Sequence, residues 1–325
     1  MLSIRELSKD SNECVFPFAG LKVHNILFAL LCVISQANNA STASPYNFGQ
    51  EAKKNKGGDI RFRVIAFFTS RNDRAHISFV KEANAWFKEA AVKNKFIYDT
   101  TSDWTNMNAA FINSYQIIVF LDTRPDSADQ RIAFEQYMRK GGGWVGFHFS
   151  AFALTPSDFP QNWNWYHEEF LASGQYVSNT WRPTSAILKV EDKRHPVLRN
   201  LPATFKTSPN EWYRWEKDLR KNENIRILLS IDSSSFPLGT GPKKHEIWHN
   251  GYYPVAWSNR NYNMVYFNMG HNDIDYEHGT NKELSFTFQN TVQNKLILNT
   301  VLYIGNNGGR AMRKRKKAAG EANSQ

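Results

Sequence analysis

The stretch DSADQRIAFEQYMRKGGGWVGFHFS, residues 126–150, decides the predicted fold. Its first part predicts a helix over Ser127–Lys140, because apolar residues recur there at helical spacing and three glycines then stop the pattern. Its second part, WVGFH, predicts a short buried strand that ends at His148. The stretch therefore predicts a helix that leads into a strand with a histidine at its carboxyl end.

The residues before this stretch alternate between strand and helix patterns. Apolar runs at 61–68 (RFRVIAFF), 95–99 (KFIYD) and 115–121 (YQIIVFL) predict strands, and helices are predicted over His76–Lys93 and Trp104–Ile112. This alternation, with nearly continuous apolar strands, predicts an α/β fold with an open, doubly wound, mostly parallel sheet of the flavodoxin-like type.

The C-terminal half continues the sheet with long loops between its elements. Further strands are predicted around 184–190, 226–231, 253–258 and 264–269, and a closing helix is predicted over Ser285–Tyr303. The α/β domain is thus expected to span residues 61–305. Residues 45–60 are polar and contain glycine, which predicts a linker.

The N-terminal segment 1–44 resembles a targeting sequence. Lys22 is followed by an apolar run from Ile26 to Ile34 and then by small residues, which is the pattern of a secretory signal. The run is too short for a stable membrane span. We therefore expect export to the periplasm or the extracellular space, with a buried or disordered extension as the alternative. Both cysteines, Cys14 and Cys32, precede the possible cleavage sites, so cleavage would leave a chain without thiols.

The positive charge is concentrated at the C-terminus. The net charge is +10, but residues 306–325 hold six basic side chains against Glu321 alone, whereas residues 61–305 hold 28 basic and 24 acidic ones. This distribution predicts a disordered, solvated basic tail and argues against a nucleic-acid partner.

The segment HEIWH, His245–His249, matches the zinc-protease signature letter for letter. That chemistry needs a helix, which brings both histidines to one face. The surrounding glycines and prolines oppose a helix, and the Asn250-Gly251 pair predicts a hairpin turn instead. We therefore expect no zinc-protease site here.

Polar side chains follow several of the predicted strands. His148 ends the fourth strand, Asp122 follows the third, His271 follows the last, and His76 begins the helix after the first. Ligands of open α/β sheets bind outside the carboxyl ends of the strands, so these residues are candidates for a site. An imidazole there can transfer a proton, bind a metal ion or donate a hydrogen bond. His195, which precedes Pro196, is expected to be structural.

The sequence also resembles a known family, the trehalose-utilisation (ThuA-like) family. The similarity covers about residues 60–305 and rests on an ordered series of motifs: the stretch 126–150, HISF with Arg74 before it, EDKRHPVLRNLPATFKTSPNEWYRW (191–215), and PVAW followed by MVYFNMGH (264–271). One departure is the turn SNRNYN, where the family tends to have a glycine-rich basic turn.

The resemblance implies a fold like that of class I glutamine amidotransferases, with His148 at the place of their catalytic cysteine. An imidazole cannot form the acyl-enzyme that those enzymes need, so amidotransferase activity is excluded. The resemblance implies action on a carbohydrate instead, such as a disaccharide, a glycoside or a keto-sugar derivative.

From the residues and the resemblance together we derive a set of candidate site residues. His148, Glu211 and Asp122 are the candidates for proton transfer, and a possible divalent metal would be held by His148, His76 and His271. The candidates for substrate binding are His76, Arg74, Tyr213, Trp163, Tyr166 and His271. Three of these, Trp163, Tyr166 and Tyr213, come from the aromatic segments NWNWYHEEF (162–170) and NEWYRW (210–215). Such aromatic side chains either stack on a sugar or pack in the core. A non-catalytic sugar-binding module and a divalent-metal-dependent hydrolase stay open as alternatives.

Overall fold

A computed structural model describes residues 60–69, 74–180, 183–235, 251–275 and 278–322, except the side chains of Ser233 and of residues 308–322. The segments 1–44 and 45–60 therefore lie outside the described residues, apart from Ile60, and export and the linker stay predictions. His245–His249 also lies outside them, as does the first half of the hairpin predicted there. Within the described residues, no helix is long and apolar enough to cross a membrane.

The first half of the domain alternates strands and helices as predicted. Its elements are β1 (Arg63–Phe68), α1 (Arg74–Asn94), β2 (Ile97–Thr101), α2 (Ala109–Ile112), β3 (Ile117–Leu121), α3 (Ala128–Arg139) and β4 (Gly143–Phe147). The helix predicted over Trp104–Ile112 is divided into a 3₁₀ turn at Trp104–Asn106 and the short α2. The division arises because the Asn108 side chain accepts the Phe111 N–H and starts a new helix.

The helix-to-strand stretch 126–150 folds as its residues predict. Ser127 caps α3, because its side chain accepts the Gln130 N–H and the Gln130 side chain accepts the Ser127 N–H. At the other end Gly141 has φ +79°, a left-handed conformation that favours glycine and lets the chain leave the helix. The strand β4 then begins at Gly143.

The second half adds nine strands and one long helix. These are β5 (Tyr176–Asn179), β6 (Ile187–Val190), β7 (Thr204–Lys206), β8 (Tyr213–Trp215), β9 (Ile225–Ile231), β10 (Pro254–Asn259), β11 (Asn263–Phe267), β12 (Asp273–Ile274), β13 (Glu283–Leu284) and α4 (Thr291–Ala322). The predicted closing helix thus begins later than expected and continues beyond Gly305. Its backbone is helical through residues predicted to be disordered, and the Arg, Lys and Ala residues from Arg310 onward favour a helix, although Gly308 and Gly309 do not.

The main sheet of the described residues has nine strands in the order β2-β1-β3-β4-β11-β10-β9-β6-β7. The five from β2 to β11 are mutually parallel, and the remaining pairings are antiparallel. Antiparallel pairing of β10 and β11 follows from their three-residue connection, which is too short for a parallel crossover. The predicted α/β fold with a mostly parallel sheet is confirmed, and the later strands make the sheet mixed.

Hydrophobic clusters cover both faces of this sheet. Side chains of α1 and α4 pack on one face, for example Phe79, Phe87 and Leu296. Side chains of α2 and α3 pack on the other face together with the aromatic segment that follows β4. Because both faces are covered, a ligand can reach the parallel strands only at their ends.

Candidate functional site

Four side chains converge at the carboxyl-terminal edge of the parallel strands. His148 directly follows β4, His271 follows β11, and His76 lies in the first turn of α1 after β1. Glu211 comes from the segment just before β8. Each of the four can offer one nitrogen or oxygen atom such that these atoms all lie within 4.8 Å of one another. We call these four residues the histidine cluster.

Unusual backbone conformations direct the side chains into this cluster. His148 has φ +43° and Asp122, which follows β3, has φ +60°, values that residues other than glycine rarely adopt. Such conformations cost free energy and tend to persist where function needs them. Gly270, three residues after the end of β11, has φ +150°, and a Cβ atom there would lie 2.7 Å from the His148 Cβ. The backbone at Gly270 therefore approaches His148 more closely than a side chain at this position would allow.

The cluster is buried. None of its four residues is more than 6% exposed. In such an environment a charged group is costly unless it has partners, and interactions between charges are screened little by water. The ionisable groups must therefore compensate one another or bind a cation.

Polar contacts through Nδ1 orient two of the imidazoles. The His148 Nδ1 lies 2.9 Å from the main-chain oxygen of Asn268, which can only accept, so Nδ1 carries the proton. The His76 Nδ1 lies 2.8 Å from the Asp122 Oδ2, and the Asp122 Oδ1 accepts the Phe149 N–H at 2.9 Å. A carboxylate on one ring nitrogen is the common partner of a histidine whose other nitrogen binds a metal.

The central carboxylate faces two of the imidazoles. The Glu211 Oε2 lies 3.1 Å from the His148 Nε2 and 3.0 Å from the His271 Nδ1. With Nδ1 protonated, the His148 Nε2 either carries a second proton, which it donates to Glu211, or offers a lone pair to a metal ion that Glu211 also binds. A proton or a metal ion between the two atoms makes the contact favourable. In a tetrahedral zinc site with bonds of about 2.0–2.1 Å, two ligand atoms lie about 3.3 Å from each other. This separation is close to the distances from the Glu211 Oε2 to the His148 Nε2 and to the His271 Nδ1.

Glu211 is ionised at neutral pH. Burial alone would raise the pKa of its carboxyl, but the neighbouring His271 and His148 lower the pKa more, so it lies well below its usual value. The Asn179 side-chain amide also donates to the Glu211 Oε1. Glu211 therefore supplies a negative charge to the cluster.

The structure brings together most, but not all, of the residues that the sequence singled out. His148, His76, His271, Glu211 and Asp122 meet in one place. Tyr213 joins them, since its ring stacks on His148 with 3.9 Å between ring centres. The predicted proton-transfer and metal-binding candidates thus form one site.

The other substrate-binding candidates lie elsewhere. Trp163 and Tyr166 stack on each other inside the hydrophobic cluster on the α2 and α3 face, where packing in the core accounts for them. Arg74 is exposed at the start of α1. His195 caps the 3₁₀ turn Pro196–Leu198 by accepting the Val197 N–H, in agreement with a structural role.

Two residues of the site were missed by the sequence analysis. The main-chain oxygen of Asn268 accepts a hydrogen bond from the His148 Nδ1–H, and the Asn268 side chain exchanges two hydrogen bonds with the backbone of Tyr213. Asn179, in β5, binds Glu211. The position of Asn268 near the carboxyl end of the predicted strand 264–269 was a usable signal, whereas no local pattern marks Asn179.

The fold and the cluster together define an α/β protein with a buried three-histidine, one-glutamate site at its sheet edge. The family model described as trehalose utilisation matches residues 63–286. Similar solved structures include a ThuA-like protein from Bacteroides uniformis ATCC 8492, at 32% identity and a TM-score of 0.65 over 79% of this chain and 95% of that one.

A second ThuA-like protein, from Parabacteroides merdae ATCC 43184, has 19% identity and a TM-score of 0.54 over 75% of this chain and 90% of that one. No curated protein matches the chain. The match over residues 63–286 shows that the chain belongs to the trehalose-utilisation family. The family resemblance is thereby confirmed, and with it a link to carbohydrate utilisation.

Proposed function

We propose that this protein is a carbohydrate-processing enzyme whose reaction centre is a divalent metal ion held by His76, His148, His271 and Glu211. The observation that carries the proposal is the convergence of four buried ligand atoms within 4.8 Å. Three imidazoles and a carboxylate are a donor set that suits zinc and other first-row divalent metals. The carbohydrate substrate is supported by the family to which the chain belongs.

A bound divalent ion would polarise a substrate oxygen or lower the pKa of a bound water. The chain's own residues prepare the site for it. Asp122 contacts the Nδ1 of His76 and the Asn268 carbonyl accepts from the Nδ1 of His148, which leaves the Nε2 atom of each imidazole directed away from that partner. Glu211 contributes a negative charge and Tyr213 covers one face of His148.

A second candidate mechanism uses protons instead of a metal. The distances of 3.0 and 3.1 Å from Glu211 to His271 and His148 also fit hydrogen bonds from protonated imidazoles. In that case Glu211 and His148 would form an acid/base pair that transfers a proton to or from the sugar. A non-catalytic sugar-binding module would use the same residues for recognition only.

Metal content and one substitution separate these candidates. Protein purified without chelator is expected to contain one divalent ion per chain by elemental mass spectrometry, and its absence would remove the metal proposal. A mass-spectrometric screen of glycosides and their 3-keto forms would identify the substrate. His148→Ala is then expected to abolish turnover while sugar binding stays within about tenfold. An equal loss of binding and turnover would favour the binding module.

A further inference from the structure

A group of aromatic side chains lies beside the histidine cluster and is not explained by the core. It consists of Phe149, Phe152, Phe159 and Tyr176, which we call the aromatic wall. The Phe149 ring centre is 4.7 Å from that of Phe152 and 4.9 Å from that of Phe159. Phe152 is in turn 4.9 Å from Tyr176. The four rings therefore form one contiguous group.

The aromatic wall is in direct contact with the histidine cluster. Phe149 follows His148 in the chain, and its ring centre lies 5.3 Å from that of His76. On the other side Tyr213, which stacks on His148, lies 5.1 Å from Tyr176 and 5.9 Å from Phe152. Any molecule that rests on the wall is thus next to two of the proposed metal ligands.

Exposure distinguishes the wall from core aromatics. Phe149, Phe152 and Tyr176 are partly exposed and Phe159 is 39% exposed, whereas the aromatic residues Trp163 and Tyr166 are buried. Contiguous apolar surface that stays partly exposed is characteristic of sites that bind a ligand. The wall therefore has the character of a binding surface.

A buried arginine holds the segment that carries the wall. Arg124 is only 6% exposed, and its Nε donates to the Phe152 main-chain oxygen at 3.2 Å while its Nη2 donates to the Pro160 oxygen at 3.4 Å. Burial lowers the pKa of this guanidinium, which shows that its position is costly. The Leu154 N–H also donates to the Phe159 oxygen at 2.9 Å, so the loop is tied at both ends.

We propose that the aromatic wall binds the apolar face of the second, non-reacting sugar ring of a disaccharide or other glycoside. This rests on the proposed function, since the reacting ring would lie at the histidine cluster. Sugar rings present C–H groups on one face, and aromatic rings bind such faces while leaving the hydroxyls hydrated. Among the ring contacts described, Phe159 touches only Phe149 and Phe152 and no ring of the histidine cluster, so in this arrangement it contacts the second sugar ring alone.

The test compares ligands with one and two rings. Calorimetric titrations would use methyl glucoside and a panel of trehalose, maltose, cellobiose, lactose and sucrose, with wild-type protein and Phe159→Ala. Removal of one stacking ring is expected to weaken binding of a disaccharide about tenfold and to change the affinity for methyl glucoside less than about twofold. Ile132→Ala is the matched control, because Ile132 is an exposed apolar side chain, at 53%, on α3.

Several outcomes would overturn the wall as a sugar subsite. These are an unchanged disaccharide affinity in Phe159→Ala, an equal loss for methyl glucoside, or no binding of any disaccharide to the wild-type protein. Tyr176→Ala serves as a second variant, with the same expected loss, and circular dichroism checks that both variants fold. Metal content separates the two proposals: protein without metal whose disaccharide affinity still depends on Phe159 would contradict the metal centre and support the wall.

Discussion

The carboxylate of Asp122 offers the sharpest test of the proposed metal centre. Asp122→Asn removes the negative charge 2.8 Å from the His76 Nδ1 and changes little else. Asparagine tolerates the left-handed backbone at this position, where φ is +60°. Its side-chain oxygen can still accept the Phe149 N–H. The variant therefore alters the polarisation of His76 rather than the fold.

The expected loss follows from the burial of this pair. The side chains of His76 and Asp122 are 8% and 1% exposed, so water screens their interaction little. Loss of a carboxylate that orients a metal-binding histidine typically lowers metal affinity about 10- to 100-fold, or about 1.4–2.7 kcal/mol. Because this carboxylate is almost fully buried, we expect the upper part of that range. The free energy of unfolding of the metal-free protein should fall by no more than about 1–2 kcal/mol.

A competition titration with a zinc chelator measures this loss directly. The matched control is Asp129→Asn, which removes an exposed carboxylate in the first turn of α3 and should leave the zinc affinity unchanged. Denaturant unfolding of the metal-free proteins separates loss of affinity from loss of fold. A zinc affinity within threefold of the wild type in Asp122→Asn would refute the proposed role of Asp122, and with it the assignment of His76 as a ligand.

Three further perturbations have expected outcomes. Gly270→Ala places a Cβ 2.7 Å from the His148 Cβ at φ +150°, so we expect stoichiometric zinc binding to be lost, and an unaltered zinc titration would contradict this. The pKa of Glu211 is lower in the folded than in the unfolded protein, so this carboxylate stabilises the fold fully above its ordinary pKa of 4.5, and the stabilisation is lost as the pH falls. Glu211→Gln should therefore flatten the acid side of the curve of stability against pH, measured by denaturant unfolding of the metal-free protein. Burial lowers the pKa of His167 from 6.5 to about 3, and the positive charges of Arg124 and Arg131 contribute to this shift. The free energy of unfolding should therefore rise with pH between these two values, by up to about 1.4 kcal/mol per pH unit, and His167→Gln should reduce this slope. An unchanged slope in His167→Gln would show that His167 takes up its proton in the folded state as well.

The local patterns of the first half predicted its architecture well. The apolar runs that became β1, β3 and β4, and the helical spacing that became α1 and α3, are signals carried within single elements. Parallel pairing followed because helices separate these strands. The boundaries and short elements were less accurate. The division of 104–112 depends on one capping bond from Asn108, and the extent of α4 depends on helix propensity beyond Gly305.

The candidate site was only partly visible in the sequence. Residues that directly follow a strand, such as Asp122, His148 and His271, could be assigned to the sheet edge because every parallel strand ends there. The aromatic residues were assigned less well. Trp163 and Tyr166 pack in the core, whereas Phe149 and Phe152 lie beside the cluster, and composition alone does not distinguish these two positions.

The sequence by itself determined the fold class, the family and the strand ends from which a site could be built, because these depend on periodicity and on an ordered series of motifs. Only the tertiary structure decided that His76, His148, His271 and Glu211 meet around one point. Their approach depends on the strand order, in which β11 lies beside β4 although 115 residues separate Phe147 and Asn263. It also depends on left-handed backbone at His148 and Asp122. Long-range strand pairing and local backbone strain are set by the packing of the whole domain, so no local pattern reports them.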